Sequence, residues 1–136
     1  VKAYVLDANA LIRFYRNLPG ADTVQEIVGR ADAGQASLSI SAVNLTEVLY
    51  ILSKYFRPDE ARRMVELARS RMVTSPIDDE VAIRAGMLKA RFRLGLADCF
   101  AAELAIRLGA ILVTADPEFE RVAKQLKILA LPRHAG

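Results

Sequence analysis

The chain holds a single cysteine, Cys99, and a single histidine, His134. One cysteine cannot close an internal disulfide, and no Cys/His cluster exists to hold zinc. With its one histidine in the tail, the chain also lacks the parts of a Ser–His or Cys–His nucleophile system. Long hydrophobic runs are missing: none approaches the ~18 residues that a membrane helix needs. Neither a Walker loop nor Gly-x-Gly-x-x-Gly occurs, so nucleotide binding by those routes is unsupported. The opening stretch, VKAYVLDANALIRFY, starts at Val, as expected if an initiator Met is lost or omitted. Asp7 and Asn9 interrupt it, and it lacks the unbroken apolar core and small-residue cleavage site of a signal peptide. A cytoplasmic protein is the expectation, with Cys99 as a core thiol.

What is present suits one soluble unit. The 136 residues are enough to bury a core, and residues 1–136 are read as a single domain. Hydrophobic residues make up 53% and charged residues 26%, an ordinary globular balance. The net charge of +3 permits a nucleic-acid partner without demanding one, since a solvated surface explains it as well.

Short apolar segments alternate with helical periodicity. AYVL (3–6), ASLSI (36–40), RMVTS (71–75), AILVT (110–114) and KILAL (127–131) read as strands. Helices are expected over 8–16, 22–32, 42–55, 58–70, 79–93 and 97–108, with a short one starting at Asp116-Pro117. Ser41 and Asp78 can cap helices, and Leu45, Val48, Leu49 and Leu52 follow a helical stripe. The helix at 97–108 is almost wholly apolar apart from a Glu103–Arg107 pair at i, i+4, so it is expected to be buried on most sides. The tail, PRHAG, reads as frayed. Apolar strands separated by helices predict a parallel sheet covered on both faces. Ligands of such sheets bind at the carboxyl ends of the strands.

Acidic residues fall at those ends. Asp7 follows the first strand, Asp116 follows the fourth, and Asp98 starts the helix before the fourth. Each can also cap a helix or sit at its positive end. Glu47 is harder to explain in that way. It lies within the apolar stretch LTEVLYIL, off the stripe, where an unpaired charge is costly. Carboxylates converging on one crevice would repel, and one of them would stay protonated unless a cation intervened. Mg²⁺ suits an all-oxygen site and can support in-line phosphoryl displacement by an activated water. Asn9 and Thr114 can orient the carboxylates.

At this point the motifs resemble a known family. LDANALI around Asp7, TEVLY around Glu47, LADCFAAELA around Asp98 and LVTADPEFE around Asp116 are similar in order, spacing and flanks to the acidic motifs of the PIN domain. The length is similar to that of the VapC toxin of VapBC-type toxin–antitoxin pairs. The resemblance implies a three-layer α/β/α sandwich with a central parallel sheet of about five strands. It implies a Mg²⁺- or Mn²⁺-dependent endoribonuclease in which Asp7, Glu47, Asp98 and Asp116 are catalytic and bind metal. Asn9 and Thr114 match supporting polar positions. It further implies an RNA substrate, a small antitoxin partner whose tail enters the site, and a homodimer.

Two rival readings stay open at this level. A phosphoacceptor module would want paired acids after the first strand and a Lys after the last; Asp7 is followed by Ala8, and no Lys follows KILAL. A non-catalytic binding domain would use the acids as caps only. Arg13 and Arg16 can flank the mouth of the crevice for RNA, or lie on a solvated face. Tyr50, Ile51, Tyr55 and Phe56 can form a dimer or antitoxin surface, or simply pack in the core.

Overall fold

The computed structural model describes residues 1–134; Ala135 and Gly136 lie outside the described residues. Among the described residues, five strands, β1 (Lys2–Leu6), β2 (Ala36–Ser41), β3 (Val73–Ser75), β4 (Ile111–Thr114) and β5 (Lys127–Ala130), form one sheet. All pair in parallel, in the order β3-β2-β1-β4-β5. The helices are α1 (Ala8–Arg16), α2 (Ala21–Asp32), α3 (Ala42–Leu52), α4 (Pro58–Arg69), α5 (Asp79–Phe92) and α6 (Leu96–Leu108), with a 3-10 helix at Pro117–Val122.

The layers follow from alternation along the strands. Tyr4 and Leu6 of β1 join one core with Leu11 of α1, Val24 of α2, Val48 of α3 and Val65 of α4. Val5 joins a second core with Ala85 of α5, Leu104 of α6 and Phe119 of the 3-10 helix. In β4, Val113 belongs to the first core and Leu112 to the second. The result is the expected α/β/α sandwich with five parallel strands. Cys99 is fully buried as a free thiol.

Chain order places the crevice. The chain steps from β1 out to β2 and β3, then crosses to β4 and β5 on the other side of β1. Connections therefore leave β1 and β4 in opposite directions, and their carboxyl ends open a gap between them.

Some boundaries differ from expectation. Helix α3 ends at Leu52 rather than near 55, and the Ser53 hydroxyl donates to the Leu49 carbonyl at 2.7 Å. Arg57 must be extended because it precedes Pro58, so the chain has to turn before α4 begins. The described part of the tail is tied down, since Pro132 and Arg133 carbonyls accept hydrogen bonds from Arg13. Of the four apolar residues offered as a docking patch, Ile51 and Phe56 pack against the first core. Tyr50 and Tyr55 are exposed but carry the Lys54 ammonium and the Arg16 guanidinium over their rings.

The predicted Glu103–Arg107 pair is present and larger than expected. Glu103 is only 2% exposed and accepts from Arg107 Nε at 2.9 Å and Arg84 Nε at 3.1 Å, while Arg107 Nη2 also donates to Ser75 Oγ at 3.1 Å. The network joins α5, α6 and the end of β3. Glu103→Ala is expected to lower stability by about 2 kcal/mol, below the range for a fully buried pair because both arginines can rehydrate. An unchanged urea midpoint would exclude this role. Among the described residues, no helix is long and apolar enough to cross a membrane.

Candidate metal centre

Asp7 leaves β1 in an extended conformation and caps α1: its Oδ1 accepts from the Ala10 N–H at 2.8 Å. Its Oδ2 accepts from the Thr114 hydroxyl at 2.5 Å. The same hydroxyl oxygen accepts from the Asp116 N–H at 2.9 Å. Thr114, the last residue of β4, thus joins the two acid-bearing loops through one oxygen.

Asp116 caps the 3-10 helix, with Pro117 as its first residue, and Asp116 Oδ1 accepts from the Glu118 N–H at 2.9 Å. That tight turn brings the Glu118 carboxylate close to Asp116. Asp98 comes from the first turn of α6, whose N-cap is Gly95 rather than Asp98 itself. A Cβ on Gly95 would lie 3.3 Å from Asp98 Oδ2, so the glycine leaves that carboxylate room. Asp98, Asp116 and Glu118 each offer an oxygen, and these oxygens lie within 4.8 Å of one another.

Glu47 is partly buried on α3 and close enough for its charge to act on Asp98. One turn earlier, Asn44 is fully buried and donates to the Ala97 carbonyl at 3.2 Å, which ties α3 to the start of α6. Among the described residues, the Oδ1 atoms of Asn44 and Asn9 are buried without a hydrogen-bond partner. Arg121 braces the other side: Nη1 donates to the Arg93 carbonyl at 2.8 Å, and Nη2 lies 3.8 Å from Glu118 Oε1.

Burial and neighbouring negative charge together raise the pKa values of Asp7 and Asp98. Burial pushes Asp7 up to about 7, against the hydrogen bonds from Thr114 and Ala10, with the charges of Asp98 and Asp116 adding to the rise. Burial also pushes Asp98 up to about 7, helped by Asp116, Glu47 and Glu118. Glu47 is raised by burial. A divalent cation would relieve this repulsion, and an all-oxygen donor set with unpaired amide oxygens suits a hard ion such as Mg²⁺ or Mn²⁺. These residues therefore fit a metal.

The structure thus brings Asp98 and Asp116 together, links Asp7 to Asp116 through Thr114, and sets Glu47 within electrostatic reach of Asp98. Thr114 bonds the Asp7 carboxylate and the Asp116 backbone, whereas the Asn9 Oδ1, among the described residues, has no hydrogen-bond partner. Glu118 was not among the sequence candidates; its only signal is a second acid two residues after the Asp116-Pro117 cap. Arg13 and Arg16 do not stand free at the mouth. Arg13 is held by the Pro19, Pro132 and Arg133 carbonyls, and Arg16 stacks on Tyr55. A broad apolar groove lined by Met87, Leu88 and Ile106 shares no residue with the acidic cluster.

Residues 4–125 match the PIN domain family model. No curated protein matches the chain in sequence. Among solved structures, the chain is similar to one from VapBC2 of Rickettsia felis bound to a DNA fragment from their promoter, with a TM-score of 0.75 and 20% identity over 96% of this chain and 99% of that one. A chain of DNA-bound VapBC from Salmonella typhimurium matches with a TM-score of 0.74 and 23% identity, covering 96% and 98%. A chain of VapBC-1 from nontypeable Haemophilus influenzae matches with a TM-score of 0.71 and 20% identity, covering 94% and 97%. At these identities the likeness shows the fold.

Proposed function

Because the chain belongs to the PIN domain family, a family of nucleases, we propose that it is a divalent-metal-dependent endoribonuclease and the toxin of a type II toxin–antitoxin pair. The observation that carries the reading is the convergence of Asp98, Asp116 and Glu118 beside Asp7 at the carboxyl ends of β1 and β4. Asp7, Glu47, Asp98 and Asp116 are the metal-site and catalytic residues in this proposal, and Glu118 joins them.

A divalent cation held there would supply Lewis-acid activation of water and neutralise charge at the scissile phosphate. The chain's own groups prepare the place. Thr114 fixes the Asp7 carboxylate and the backbone of Asp116, so both acids are oriented before substrate arrives. Asn44 holds the start of α6, and with it Asp98, against α3. The acidic crevice by itself repels a phosphodiester, so substrate entry and cation binding are coupled.

Incubating defined RNA with the protein is expected to give internal cuts that need Mg²⁺ or Mn²⁺ and stop with EDTA. Cuts insensitive to EDTA, or none with any divalent ion, would sink the proposal. RNA affinity is also expected to fall with salt, with a log–log slope of about −0.7 per phosphate contact. A flat salt titration would count against contacts to the RNA backbone.

The solved relatives include chains from VapBC complexes, which supports a small antitoxin as partner. Expression of the chain alone is expected to arrest growth of its host, with relief when the antitoxin is co-expressed. Growth unaffected by an active nuclease would argue against a toxin role.

A further inference from the structure

Arg13 lies in the last turn of α1, the helix that Asp7 caps, and its side chain makes three hydrogen bonds to backbone carbonyls. Its Nε donates to the Pro19 carbonyl at 2.7 Å, and its Nη2 donates to the Pro132 and Arg133 carbonyls at 3.0 Å each. One side chain on α1 thereby pins both the loop before α2 and the segment after β5. That segment is fastened at two further points. The Leu131 N–H donates to the Thr114 carbonyl at 2.7 Å. The Leu131 side chain is buried against Gly20, which has φ +95° and where a Cβ would meet Leu131 Cβ at 3.0 Å. Only glycine suits that backbone and that contact.

Thr114 is the residue whose hydroxyl joins Asp7 to the Asp116 backbone. Its carbonyl is held by the strap that Arg13 pins. Helix α1, which Asp7 caps, also carries Arg13. The two ends of the Asp7–Thr114 contact are therefore tied together a second time, through Arg13 and residues 131–133. A guanidinium is suited to this task, because a planar fork can serve several carbonyls at once and an ammonium cannot match that geometry.

We propose that Arg13 is a positioning residue of the metal centre: by pinning the strap 131–133, which is bonded to the Thr114 carbonyl, it holds Asp7 and Asp116 at the spacing the cation needs. The proposal rests on the metal-site reading above. It assigns Arg13 to the architecture of the site and not to the binding of RNA phosphates.

The test is Mn²⁺ affinity, measured by calorimetry on folded protein with no RNA present. Arg13→Lys keeps the charge but loses the fork; Arg13→Ala loses both. Each is expected to weaken Mn²⁺ binding, by about 3–10-fold, somewhat less than the loss of a direct partner of a ligand. Leu131→Ala loosens the strap from its other side and is expected to act in the same direction. Combined with Arg13→Ala it should add less than the product of the two single effects, as expected when both changes release one element. The salt slope of RNA affinity is expected to stay at its wild-type value.

Wild-type Mn²⁺ affinity in a folded Arg13→Lys protein would overturn the proposal. So would a shallower salt slope in Arg13→Ala with unaltered metal binding, which would mark Arg13 as a phosphate contact. If Arg13→Ala does not fold, Arg13→Lys and Leu131→Ala carry the test. Failure of the wild-type protein to bind Mn²⁺ would remove the metal-site reading itself, a result distinct from unequal behaviour among the variants.

Discussion

Asp98→Asn is expected to lower metal-dependent RNA cleavage by about 10²–10³-fold, the loss typical when a group that supports transition-state charge is removed. Asp98 is the acid most entangled with the others: beyond its burial, the charges of Asp116, Glu47 and Glu118 all act on it, and its carboxylate shares the cluster with those of Asp116 and Glu118. The amide keeps the shape of the side chain and removes its charge, so packing around α6 should survive. The same change should raise the melting temperature of the metal-free protein at neutral pH, because one of several repelling carboxylates is gone. Loss of activity together with gain of apo stability separates a ligand role from a structural one. An Asp98→Asn protein that cuts RNA at the wild-type metal-dependent rate would show that the acids serve some other purpose.

The second large effect is a coupling of pH, metal and stability. Asp7 and Asp98 titrate near 7 in the fold, against 3.8 for an unperturbed aspartate carboxyl. Between those values the native state holds more protons than the unfolded chain, so stability falls as pH rises. This contribution is fully present below about pH 4 and lost by the time pH passes the folded pKa near 7. Metal-free protein is therefore expected to melt on the order of 5 °C lower at about pH 8 than at about pH 5. Added Mn²⁺ or Mg²⁺ should raise the melting temperature strongly at the higher pH and weakly at the lower, since the ion binds carboxylates and competes with protons. Scanning fluorimetry with EDTA, then with excess divalent ion, measures both halves. A metal-free melting temperature that climbs from pH 5 to pH 8, or a metal effect equal at both, would contradict the raised pKa values. Asp7→Asn should flatten the pH dependence.

These effects bear on how much of the molecule can be read before it folds. The strands were legible because each is an apolar run bounded by turn residues, and the helices because their stripes and caps are local. Asp7, Asp98 and Asp116 were legible as a group because the rule for parallel sheets depends only on chain order. Glu47 stood out because it interrupts an apolar helix. Glu118 did not stand out: an exposed acid after a cap is ordinary, and only the tightness of the 3-10 turn returns it to Asp116. The partners of Arg13 were hidden for a related reason. Its position after Asp7 suggested the mouth of the crevice, yet its partners include the carbonyls of Pro132 and Arg133, well over a hundred residues away, and a backbone carbonyl has no sequence signature.

The sequence by itself determined the fold class, the order of the elements and the set of acids near the strand ends, because periodicity and capping are properties of neighbours along the chain. Only the tertiary structure decided which oxygens share a site, that Thr114 joins Asp7 to Asp116, and that Asp7 and Asp98 resist ionisation. Those outcomes depend on distance and desolvation between groups that the chain brings together only when it folds, and both the Coulomb repulsion and the cost of burial are set there.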